Sequence, residues 1–110
     1  MKLFISVFLL SIFLTAHAEP LECKQGPANK VFGGQNWYVY ACNDNASIVI
    51  VSAPGNPAMP FYFSISPING NYAINGEGTG NKAITEATYK QLKALTKEQV
   101  MSLYNEAKGA

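Results

Sequence analysis

Residues Asn71 to Ile84 read NYAINGEGTGNKAI. A short strand-like start leads into glycines at Gly76, Gly78 and Gly80, and then into the first residues of a helical pattern. Strand, glycine loop, helix is the order in which proteins cradle phosphates, because free backbone amides gather at the helix start. The spacing argues otherwise. A dinucleotide fingerprint is G-x-G-x-x-G with an acidic residue on a second parallel strand, whereas here the spacing is G-x-G-x-G and helix follows to the end. Gly80-Asn81-Lys82-Ala83 also lacks the hydroxyl that a P-loop places on magnesium. The stretch therefore reads as a β-to-α connection, with Asn81 or Thr85 capping the helix that follows.

Upstream of this connection the chain reads as strand. Phe61 to Ser66 puts Phe61, Phe63 and Ile65 on one face and Tyr62, Ser64 and Ser66 on the other. Pro67-Ile68-Asn69-Gly70 carries an Asn-Gly hairpin signal, so Asn71 to Asn75 returns as its partner. Asn36 to Cys42 is aromatic and β-branched. Asn43-Asp44-Asn45 makes a turn, and Ser47 to Ser52 follows without polar alternation, the pattern of a central strand covered on both faces. Between these strands, Ala53 to Pro60 holds three prolines and is no regular element. Residues 19–36, polar and without a clear period, read as an extended arm ahead of a β-meander over 37–76.

Downstream the period changes. Ile84, Thr88, Leu92 and Leu95 recur at helical spacing, and Thr96-Lys97-Glu98-Gln99 is a capping box opening a second helix with Val100, Leu103, Tyr104 and Ala107 on one stripe. Strands followed by two helices over 83–108 predict an α+β fold: an antiparallel sheet of about four strands with the helices packed on one face.

The first eighteen residues, MKLFISVFLLSIFLTAHA, have a positive start, an apolar run and a small-x-small end at Ala16-His17-Ala18. That is the pattern of a cleaved secretory signal, followed by one domain over 19–110 that is periplasmic or secreted. Cleavage removes the only histidine and one lysine, leaving seven lysines against seven acids and no arginine. Scattered lysines without a net excess argue against nucleic acid, and no other apolar run is long enough for membrane insertion. Cys23 and Cys42 in an oxidising compartment read as a disulfide.

These residues leave little chemistry for catalysis. Histidine is lost, both cysteines are bonded, and Asp44 and Glu77 are not placed together by any motif; no cofactor or metal site is expected. The expectation is a non-enzymatic binding protein for a protein partner in the envelope or outside the cell, an inhibitor of a hydrolase being one form of it. Tyr38 and Tyr40 on a strand face, with Pro57, Met59 and Pro60 in a proline-stiffened loop, are the candidate contact residues. A self-associating structural domain is the alternative, and a hydrolase with an unrecognised site the third reading.

Overall fold

The computed structural model describes residues 20–110, so the leader pattern over residues 1–18 lies outside them. Five strands, β1 (Gln25–Phe32), β2 (Gln35–Ala41), β3 (Ile48–Ser52), β4 (Phe61–Ile68) and β5 (Asn71–Gly78), precede two helices, α1 (Lys82–Lys93) and α2 (Lys97–Gly109). The strands form one antiparallel sheet in sequence order, β1-β2-β3-β4-β5. The fold is α+β with one disulfide, Cys23–Cys42.

The sheet has one strand more than the sequence pattern suggested, and the extra strand lies within the expected arm. Phe32 pairs with Gln35 across a two-residue turn at Gly33-Gly34, whose φ angles of 59° and 75° suit glycine and match the twist of a hairpin. The strand was hard to read because Gly26, Pro27 and three polar residues dilute its composition. Its pairing with β2 also shifts register between Gln25 and Ala28. Asn69 and Gly70 turn β4 into β5 in the same way, with φ of 49° and 82° and Ile68 opposite Asn71.

Strand β5 runs past Asn75 to Gly78, so Gly76 and Gly78 belong to the sheet rather than to a loop. A Cβ at Gly76 would lie 2.9 Å from the rings of both Phe61 and Phe63, and one at Gly80 would strike the Ala58 carbonyl. These glycines serve close packing. Asn81 caps α1, its Oδ1 accepting from the Ile84 amide at 3.2 Å.

One set of alternating side chains makes the core. Trp37, Val39, Ile48, Ile50, Phe63 and Ile65 are buried together with Leu92, Val100, Leu103, Tyr104 and Ala107 from the helices. The Trp37 indole donates to the Phe32 carbonyl at 3.0 Å and its ring lies 5.6 Å from that of Phe63. Thr96 and Gln99 form the expected capping box, with bonds of 2.8 and 3.1 Å. Helix α2 packs on β1 and β2, and α1 meets β1 near the hairpin turn, where the Gly33 amide donates to Gln91 Oε1 at 2.8 Å. The helices thus sit toward the β1–β2 side of the sheet. Phe61, Tyr72 and Ile74, on β4 and β5, stay only partly buried.

Candidate functional site

The other set of alternating side chains has no layer over it among the described residues. In register across four strands, Tyr38 lies opposite Val51, Val51 opposite Tyr62, and Tyr62 opposite Glu77; one step along, Tyr40 faces Val49 and Val49 faces Ser64. Side chains on one face of antiparallel neighbours stand about 5 Å apart, so these residues form a continuous surface. It carries one charged group in these two rows, Glu77, whose Oε1 accepts from the Tyr62 hydroxyl at 3.4 Å.

Strand β3 departs from its reading as a strand covered on both faces. It is central, but only Ile48, Ile50 and Ser52 are buried, while Val49 and Val51 are half-buried on the uncovered face. With both helices on the opposite side, an unalternating strand leaves apolar residues toward solvent. That contrast between a core-like sequence and a missing layer was the available signal for an uncovered face.

The loop from Ala53 to Pro60 closes one end of this surface. Its shape is set by Asn56, which is only 5% exposed. The Asn56 side chain donates to the Asn36 carbonyl at 2.9 Å and accepts from the Ala58 amide at 2.8 Å. Its backbone bridges the same loop, taking a bond from Met59 at 2.9 Å and giving one to Ala53 at 3.0 Å. Proline was expected to stiffen this segment; a buried asparagine also organises it, a role that proline and glycine on either side of Asn56 obscured.

Loop and sheet enclose an open groove of about 690 Å³, bordered by Val49, Val51, Met59, Pro60, Phe61 and Tyr62. Met59 is 52% and Tyr62 42% exposed at its rim. Of the residues singled out from sequence, Met59 and Pro60 line the groove, and Tyr38 and Tyr40 lie on the same face beside Val51 and Val49. Pro57 does not line it; its carbonyl accepts from the Asn81 amide at 3.2 Å and holds the start of α1. Val49, Val51 and Tyr62 complete the site and were not singled out.

The acidic residues stay apart. Asp44 lies in the turn between β2 and β3, at the end of the sheet away from the Tyr62–Glu77 pair. Burial acts to raise its pKa, but hydrogen bonds from the Ser47 hydroxyl and from the Ser47 and Ala46 amides outweigh that and hold it below the usual carboxylate value. Its oxygens brace a turn. Among the described residues, no three His, Cys, Asp or Glu side chains are grouped to hold a metal ion, and no helix is long and apolar enough to cross a membrane. No protein-family model matches the chain, and neither a curated protein nor a solved structure is significantly similar to it.

Proposed function

We propose that this is a small exported, non-enzymatic binding protein that engages a protein partner through the uncovered sheet face and the groove beside Met59, Pro60 and Tyr62. The observation that carries this reading is the pair Val49 and Val51. They are apolar residues of a central strand, half-buried, with both helices committed to the other side. An apolar surface ringed by tyrosines suits an apolar side chain of a partner, since aromatic residues and methionine are enriched at interface centres. The hydrogen-bonded loop presents Met59 and Pro60 in a set shape, so little conformational entropy is lost on contact. Capping the active-site cleft of a hydrolase is the more specific form of this reading.

Affinity capture from the host envelope or secreted fraction tests it, with the double variant Met59→Ser/Pro60→Ser as the control bait. One dominant partner should be retained by the parent and lost from the variant, while both melt within a few degrees of each other. Equal capture by the two baits overturns the loop as the site. If the only protein returned is a second copy, self-association through the same face replaces the partner reading, and light scattering should then show a dimer that the variant does not form.

A further inference from the structure

A second surface lies on the helix side, at the opposite edge of the sheet from β1. Strand β5 is last in the sheet order, so its outer backbone edge has no strand partner among the described residues. Exposed edges are ordinarily blunted by proline, lysine, a bulge or a covering element. The β1 edge follows that rule: it carries Pro27 and a register break, and α2 packs on it with a 3.0 Å ion pair between Lys30 and Glu106. The β5 edge, NYAINGEG, has neither proline nor lysine and runs unbroken for eight residues.

Beside it the helix layer stands open. A groove of about 730 Å³ separates α1 from the inner side of β4 and β5, with Phe61, Phe63 and Gly76 on one wall and Tyr89, Lys90 and Lys93 on the other. Gly76 makes room for the two phenylalanine rings, since any side chain there would displace them; Phe63 is buried and Phe61 only partly so. The groove leads into a smaller one of about 350 Å³ that shares Lys93 and adds Ile74 and Lys97. Lys90, Lys93 and Lys97 are exposed and form no ion pair with the described residues, whose two pairs are Lys24–Glu22 and Lys30–Glu106. The one acid lining these grooves is Glu86.

An unguarded strand edge, an apolar trough and three cations outside any ion pair among the described residues, Lys93 resting over the Tyr89 ring at 5.8 Å, specify an occupant. We propose that an extended acidic peptide segment of a partner adds to β5 as a sixth strand. Alternate apolar side chains enter the trough over Phe61 and Ile74, and its carboxylates face Lys90, Lys93 and Lys97. Main-chain hydrogen bonds along the edge supply affinity, and the trough and lysines supply selectivity. A second copy of this chain fits less well. Antiparallel pairing of two β5 edges leaves both helix layers on the same side, which brings two sets of lysines together.

The test is selection of a display library of random linear peptides on the purified protein at low salt. Enriched peptides should alternate apolar and acidic residues. Binding of a synthesised winner should fall about tenfold in Lys90→Glu/Lys93→Glu and weaken with added salt, and it should be unchanged in Lys24→Glu. Hydrogen exchange of alternate β5 amides should slow on binding. Lys90 and Lys93 are exposed, so these reversals leave the core intact. No enrichment, winners without acidic residues, full binding by the double variant, or unprotected β5 amides would each overturn the proposal. Winners that instead lose binding in Met59→Ser/Pro60→Ser belong to the other face, and they overturn it as well.

Discussion

Replacing Asn56 by alanine tests whether the loop beside the groove is held by its buried side chain. The amide makes two hydrogen bonds, to the Asn36 carbonyl and from the Ala58 amide, and is almost fully shielded from water. Alanine removes both and leaves the Ala58 amide unpaired in a closed site, while the Asn36 carbonyl keeps its bond from the Ala53 amide at 3.2 Å. A buried group left without its partner costs about 1–3 kcal/mol, so the orphaned amide should cost about that much. For a domain of this size each kcal/mol moves the melting temperature by roughly 4–8 °C, giving a fall of roughly 5–20 °C. Thermal denaturation followed by circular dichroism reads this directly. Asn56→Asp separates the two bonds: the carboxylate still accepts from Ala58 but points a negative charge at the Asn36 carbonyl. Burial and that carbonyl raise its folded pKa, so this variant should be more stable at acidic pH, where the protonated acid donates, and lose that advantage as pH rises through the folded value. A fall of under about 0.5 kcal/mol for Asn56→Ala, the range of an ordinary surface change, would show that the prolines and the backbone hydrogen bonds hold the loop without the side chain.

Three further outcomes are expected. Reduction of Cys23–Cys42, which closes a loop spanning 19 residues, should lower stability by about 3 kcal/mol, and an unchanged urea midpoint would refute that. Thr88 Oγ1 is buried with no hydrogen-bond partner, so Thr88→Val should raise the melting temperature by a few degrees; a lower value would mean that the hydroxyl is satisfied. Asp44 has a depressed pKa, so its contribution to stability is complete above the ordinary carboxylate value and is lost as pH falls through the lower folded value. The difference between the parent and Asp44→Asn should therefore shrink in acid, and a gap that persists below that range would refute the assignment.

Much of the molecule was legible because its signals are local. The Thr96–Gln99 capping box, the Asn69-Gly70 turn and the alternation of Phe61, Phe63 and Ile65 each depend on neighbours within four residues, and such interactions form the same way in any surroundings. Strand β1 escaped because its evidence is shared with β2: its composition is weak, and its pairing supplies the order. A glycine pair at Gly33-Gly34 was the one local sign of that hairpin.

The sequence alone determined an α+β order of strands before helices, a paired cysteine and a proline-bearing loop, since periodicity, pairing and backbone restriction act along the chain. Only the tertiary structure decided which apolar residues stay uncovered. Val49 and Ile50 are adjacent β-branched residues of nearly the same chemistry, yet Ile50 is sealed under the helices and Val49 faces outward. Nor could spacing show that Gly76 exists to admit two phenylalanine rings, or that Asn56 is buried. Burial is a property of what lies across from a residue, and across this sheet the helices reach one face and stop short of β5.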